Sequence, residues 1–186
     1  MSKKPPAPPR DKRSREDLEL FTLALVDRGV NSAYLLLSAG ISQGAALPVL
    51  GRLESSGYVR HGKPGPRGRT EFELTAAGRR HLQTGWQPLL EAPILGDIES
   101  ILRIADLAVL SGASRKTVSS YLKRAADARA IDSKNRKIEA GEAKAALSDN
   151  PDDGLYRWML AMNSTVRLTA EAKFLRQLAV ALPKRS

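Results

Sequence analysis

The chain contains no cysteine, so disulfides, thiolate metal sites and a cysteine nucleophile are excluded. Histidine is nearly absent: His61 and His81 are the only two, and neither has a partner at metal-ligand spacing. Those positions offer no base for a nucleophile. The run GKPGPRGR at 62–69 lacks the strand-to-helix setting and closing Lys-Ser/Thr of a phosphate-binding loop. No apolar run approaches the roughly 18 to 20 residues that span a bilayer, and the basic start 1–15 is not followed by a signal-peptide hydrophobic segment. These absences predict a soluble cytoplasmic protein that is not an enzyme, uses no metal or cofactor and does not enter the membrane.

What the chain does have is positive charge. Thirty Lys and Arg against twenty Asp and Glu give +10, which favours a polyanionic partner. Its 186 residues suffice for one ordinary domain or two small ones.

Residues 1–15 carry four prolines and six Lys or Arg, too polar and too broken by proline to pack, and read as a disordered basic arm. Three short helices follow. The first, Glu16 to Asp27, has Leu18, Phe21, Leu25 and Val26 on a 3.6-residue period and stops at Gly29. The second, Ala33 to Ala39, is apolar along Tyr34 to Leu37 and reads as mostly buried. The third, Gln43 to Ser55, has Ser42 to cap it, Leu47, Leu50 and Leu53 toward the core, and Gly57 as its stop.

The period then changes. Tyr58 to His61 and Thr70 to Leu74 read as strands joined by a tip with three Gly and two Pro, the pattern of a two-stranded wing. From Arg60 to Arg69 every charge is positive, which favours phosphate contact, although Glu71 and Glu73 stand beside it. Thr75 caps a fourth helix, Ala76 to Gln83, and Gly85-Trp86-Gln87-Pro88 reads as a linker.

The motifs Gly44-Ala45-Ala46-Leu47-Pro48-Val49-Leu50, Arg52-Leu53-Glu54, Gly57-Tyr58-Val59 and Phe72-Glu73-Leu74-Thr75-Ala76-Ala77-Gly78 together resemble the winged helix of PadR-family transcriptional regulators. The likeness covers about forty residues. MarR-family proteins share the Leu-Thr-x-x-Gly ending but usually carry an Asp-x-Arg wing element that is absent here. This chain departs from the PadR pattern at Ala45, where a hydroxyl residue is usual, and at Leu47, where the family has a tyrosine. The resemblance implies a DNA-binding winged helix and a C-terminal helical region that mediates dimerisation.

Ser42, Gln43, Gly44, Ala45 and Arg52 on the third helix, with Arg60, Lys63, Arg67 and Arg69 on the wing, are therefore the candidate DNA-binding residues. Gln43 is the side chain suited to an adenine edge, whereas Gly44 and Ala45 offer only close approach and methyl contact. Each has a plainer reading: Gln43 suits any exposed helix start, Arg52 could pair with Glu19, and His61 could be a surface residue.

Beyond the linker the chain reads as helical. Asp97 caps a helix from Ile98 to Leu110, and Ser114 caps another to about Ala130. Ala108, Gly112 and Val118 fit the spacing of a second helix-turn-helix with Arg115 and Lys116 at its start, or equally a hairpin of a dimerisation domain. Glu139 to Leu147 reads as a short helix, 148–154 as an acidic loop, and Leu155 to Leu182 as a long helix. Leu168, Ala172, Leu175, Ala179 and Leu182 form a heptad seam that needs a partner helix, in the same chain or a second subunit. Leu155, Met159, Met162 and Val166 step likewise in another register, which marks Asn163 to Thr165 as a bend or stutter. Trp86, Trp158 and Tyr156 read as core, with a small-molecule effector pocket as the alternative.

The expected fold is mainly α: a basic arm at 1–15, a winged helix-turn-helix with a two-stranded wing at 16–87, and a helical dimerisation region at 88–186. The expected function is sequence-specific binding of double-stranded DNA by a homodimeric regulator that represses by occupying a promoter. The alternatives are a plasmid or phage replication protein with tandem winged helices and a nonspecific nucleoid-type protein.

Overall fold

The computed structural model describes residues 12–182 except 95 and 150, with side chains across that span except 12–14, 67, 147–149 and 151–154. Among the described residues the chain is mainly helical, seven α-helices and one two-stranded antiparallel sheet. It divides into two compact units: everything up to Ala92 together with Leu102–Gly112, and Pro93–Ile101 together with Ala113 onward.

The first unit is built around α1 (Lys12–Asp27), which begins inside the segment read as an arm; the arm reading of 1–11 lies outside the described residues. From Leu20 to Val26 every residue of α1 is buried, including Thr22, whose hydroxyl bonds the Leu18 carbonyl at 2.7 Å. A helix covered all round is a central helix, and each fully buried leucine contributes about 1.5–3 kcal/mol. Below it, Asp17 is completely buried and faces Arg103 at 3.6 Å, and Arg28 donates to the Leu110 carbonyl at 2.7 Å. These contacts tie the 102–110 part of α5 (Ile98–Leu110) to the first unit.

α2 (Ala33–Ser38) is capped by the Ser32 hydroxyl. It is not mostly buried as its composition suggests: only Leu36 is, and Tyr34 and Leu37 are exposed. Six residues make fewer than two turns, so only one position can face the core. α3 (Gln43–Ser55) buries Ala46, Val49, Leu50 and Leu53. Leu47, expected in the core, is 67% exposed because the small Ala46 takes the inward position and the next residue turns about 100° away. Ser42 stands at the N-cap of α3, but its side chain makes no capping bond; its carbonyl instead accepts from the amides of Ala45 and Ala46. Gly57, at φ +71°, ends the helix as expected, with the Tyr58 amide reaching back to the Leu53 carbonyl.

β1 (Val59–His61) and β2 (Phe72–Leu74) pair with Val59 opposite Leu74 and Arg60 opposite Glu73. The Asn31 carbonyl accepts the Phe72 amide at 2.8 Å and so extends the sheet edge by one backbone bond. Thr75 caps α4 (Ala76–Glu91) through the Gly78 amide and donates to the Gly57 carbonyl at 2.6 Å. Gly78 is needed for contact: a Cβ there would lie 2.0 Å from the Tyr58 carbonyl oxygen. The Leu-Thr-x-x-Gly motif is thus a clasp between α4 and the start of β1.

α4 continues through the Gly85–Pro88 stretch read as a linker. Gly85 does not break the helix; its missing Cβ makes room for Leu20, whose Cδ2 would be 2.7 Å away. Leu89 and Leu90 are buried in turn.

The second unit is dominated by α6 (Arg115–Asp149, 35 residues) and α7 (Pro151–Ala181, 31 residues). α6 absorbs both the helix expected to stop near Ala130 and the separate helix at 139–147, and the acidic loop shrinks to the join at 150, outside the described residues. α7 runs unbroken through Asn163 to Thr165, where Thr165 bonds the Ala161 carbonyl instead of bending the helix. The two helices pack antiparallel: Ser119 donates to the Ala179 carbonyl at 2.9 Å, and Ser133 sits 2.7 Å from the Thr169 hydroxyl.

Leu168, Ala172, Leu175 and Ala179 are buried along this contact, with Leu182 half-buried at its end. The seam therefore has its partner within the chain, against Val118, Leu122, Ala125 and Ala126 of α6. Alanines on both sides let the backbones approach, so apolar area is covered without a second subunit. The other stripe, Leu155, Met159, Met162 and Val166, is exposed along its whole length. Tyr156 is exposed too, contrary to its expected place in a core, and Trp158 is half-buried.

Candidate nucleic-acid interface

α3 positions the first group of candidates. Because its core face is fixed by Ala46, Val49, Leu50 and Leu53, the opposite face carries Ser42, Gln43, Gly44, Leu47, Pro48 and Gly51, all exposed. Ala45 is half-buried between the faces. Neither Gly44 nor Gly51 has a positive φ, and a Cβ on either would meet nothing within 4 Å. Glycine inside a helix costs about 0.8–1 kcal/mol relative to alanine, and here neither packing nor backbone geometry requires it. Pro48 adds to this by having no amide to give the Gly44 carbonyl. The result is a low-relief helix face with one projecting apolar side chain, Leu47.

Arg52 lies at the far end of that helix, and its Nε donates to Glu19 of α1 at 2.6 Å. The structure thus gives Arg52 the plainer of its two readings, a strut between α1 and α3. On the hairpin, Arg60 meets its cross-strand partner Glu73 at 3.1 Å, both exposed. The Arg69 guanidinium lies 4.3 Å from the centroid of the Tyr34 ring, a cation–π contact that ties the hairpin to α2. Lys63 is exposed, with no ion pair or hydrogen bond among the described residues. The Arg67 side chain lies outside the described residues. The cations that look uniform in sequence are therefore unequal in space: two arginines are engaged and one lysine is free.

Engagement does not remove these arginines from use. An exposed ion pair contributes about 0–1 kcal/mol, so replacing the Glu73 carboxylate by a phosphate at Arg60 is nearly neutral. The acids do restrain the local field. Glu71 is held by the Asn31 amide at 3.3 Å, and Glu73 keeps its charge next to the hairpin.

The histidines serve packing. His81 stacks on Tyr58 with centroids 4.4 Å apart, and His61 contacts Glu54 at 2.9 Å and the Phe72 ring. Arg79 pairs with Asp27 at 3.2 Å. At the start of α6, Ser114 caps through the Thr117 amide and Arg115 donates to the Val180 carbonyl at 2.8 Å, so Arg115 is engaged within the helical hairpin. Ala108 and Val118 are buried and Gly112 has φ +92°, as a helix–turn–helix spacing requires.

Sequence reasoning missed Tyr34, which was placed in the core and is instead 58% exposed beneath Arg69. The signal was available: a six-residue helix bounded by Ser32 and Gly40 has too few turns to bury Tyr34, Leu36 and Leu37 together. Comparison with known proteins finds no family model and no curated relative that matches the chain.

Proposed function

We propose that the first unit is a winged helix that binds double-stranded DNA, with α3 as its recognition helix and the β1–β2 hairpin as its wing, and that the chain is a transcriptional regulator. The observation that carries this reading is the uncovered face of α3. A helix that gives up stability at Gly44 and Gly51 with no internal return suits a surface that another backbone must approach closely. In a major groove, Gln43 reaches a base edge and Leu47 meets a thymine methyl, while Lys63, Arg67, Arg69 and, after exchange of its partner, Arg60 meet phosphates.

The regulator acts as a homodimer in this reading, which places two recognition helices about one DNA turn, roughly 34 Å, apart. The seam at Leu168–Ala179 is occupied within the chain, so the dimer forms instead along the exposed stripe Leu155, Met159, Met162 and Val166.

Footprinting of the protein on genomic DNA fragments, followed by anisotropy titration of the recovered sites, tests the function. Protected palindromes and a Gln43→Ala variant that loses discrimination between site and mismatch are the expected result. Binding that ignores sequence, or no binding at all, overturns the regulator reading. Direct repeats in place of palindromes would favour a replication protein that uses the 108–118 region as a second reader, a reading supported by buried Ala108 and Val118 and the left-handed Gly112. Sedimentation at working concentration checks the dimer: Met159→Glu with Val166→Glu should give a monomer.

A further inference from the structure

The α6–α7 hairpin has two flanks of different charge. On α6 the acids Asp132 and Glu139 each stand one residue before a buried position, Ser133 and Ala140. Lysines stand on the other side: Lys123 and Lys134 one residue after buried Leu122 and Ser133, and Lys137 and Lys144 four after Ser133 and Ala140. At 100° per residue these offsets put the acids on one flank of the buried seam and the lysines on the other. α7 repeats the division. Glu171 precedes buried Ala172 and pairs with Arg129 at 3.0 Å, whereas Lys173 and Arg176 follow Ala172 and Leu175.

The lysine flank is a groove of about 520 Å³ whose rim carries Lys134, Lys137, Lys173 and Arg176 and whose lining contains no carboxylate. Its hydroxyls, Ser133, Thr165 and Thr169, are bonded to one another or to backbone. Arg176 is met by Asp127 at 3.1 Å, the one acid beside the rim among the described residues. Lys123, Lys134, Lys137, Lys144 and Lys173 have no ion pair or hydrogen bond among the described residues. On the opposite flank the cations are consumed: Arg136 by Glu139 at 2.6 Å, and Arg167 and Arg129 by Glu171.

We infer that this lysine-lined groove is a second contact surface for the phosphodiester backbone of double-stranded DNA, separate from α3 and its hairpin. Length decides for a polymer over a small anion. Lys123 to Lys144 is 21 residues of helix, about 30 Å, close to one DNA turn and far longer than a pocket ligand. Nothing in the groove reads bases, since its polar groups other than the cations are already bonded. It supplies affinity and salt dependence without sequence preference. The inference rests on the DNA-binding reading of the chain.

The test is a DNA titration at several potassium chloride concentrations with the full-length protein. Lys137→Ala/Lys173→Ala is compared with Arg136→Ala/Arg167→Ala, which removes the same charge from the opposite flank, and with the hairpin variant Lys63→Ala/Arg67→Ala. The groove double is expected to lower the salt slope by about 1.8 and affinity by roughly tenfold or more, the opposite-flank double to leave the slope unchanged, and Lys137→Arg/Lys173→Arg to restore it. Equal slopes for the two flank variants overturn the inference. So does free tripolyphosphate binding the groove while the DNA slope of the groove double stays that of the unsubstituted protein. If the groove double loses slope and the hairpin variant does not, the groove stands and the wing reading falls; if only the hairpin variant loses slope, the reverse holds. An unsubstituted protein that does not bind DNA overturns both.

Discussion

Arg28, Arg52, Arg60, Arg69, Arg79 and Arg103 of the first unit each have a partner inside the chain, whereas Lys123, Lys134, Lys137, Lys144 and Lys173 of the second have none among the described residues. The first unit, from Glu16 on, contains one lysine, Lys63. The division follows the side chains. A planar guanidinium with five donors can brace helix against helix and still stack on a ring, while an ammonium on a flexible stem stays hydrated and serves as a mobile charge. The first unit uses cations to hold its shape and the second keeps them available. Charge counted along the sequence does not separate these uses; partners in space do.

Breaking a committed cation should have the largest effect. Arg103→Ala leaves the Asp17 carboxylate, which has no solvent exposure, without the guanidinium it faces. Removing one member of a buried pair costs about 3–5 kcal/mol, to be read as a lowered urea midpoint at unchanged m. A loss under 1 kcal/mol would mean that the carboxylate is neutral or otherwise held, and the contrast between the units would weaken. Gly78→Ala should follow at about 1–3 kcal/mol or more, because the added methyl meets the Tyr58 backbone and not a movable side chain. Gly44→Ala is its control: with open space above it, that substitution should stabilise by about 0.8–1 kcal/mol while weakening DNA binding.

Much of the first unit was legible because its signals are local. Gly29, Gly40 and Gly57 take left-handed φ where the helices were expected to stop, and Thr75 caps where it was placed. Failures came where a local signal had a tertiary use. Gly85 looks like a break and is a helix contact, and Leu47 looks like core and is surface because Ala46 fits the inward position better. The helical hairpin was harder to read, since alanine, serine and lysine give α6 little apolar periodicity and its pairing with α7 lies 30 to 60 residues away in sequence. At the candidate site the residues were named correctly as exposed for Ser42, Gln43 and Gly44. The pairing of Arg52 with Glu19 and of Arg60 with Glu73 depends on packing that spacing along the chain only suggests.

Glu73→Gln sharpens the contrast at its weakest point, the hairpin. Both partners of the Arg60–Glu73 pair are exposed, so stability should fall by less than about 1 kcal/mol. DNA binding should tighten severalfold with a salt slope steeper by up to about 0.9, as Arg60 is released to one phosphate and a like charge is removed. Unchanged binding would assign Arg60 to the struts.

The smallest expected effect is the most diagnostic for the groove. Lysines kept for folding lose stability when removed, whereas lysines crowded for a partner repel one another in its absence. Lys134, Lys137, Lys173 and Arg176 line one groove with only Asp127 beside them, so Lys137→Ala/Lys173→Ala should raise the unfolding temperature slightly at about 0.01 M salt, where the Debye length is about 30 Å. At about 1 M salt, where that length is about 3 Å, the gain should vanish and the variant should match the unsubstituted protein within about 0.5 kcal/mol. A loss of stability at both salt concentrations would make these lysines part of the hairpin's packing, through their apolar stems, and would place them with the arginines of the first unit.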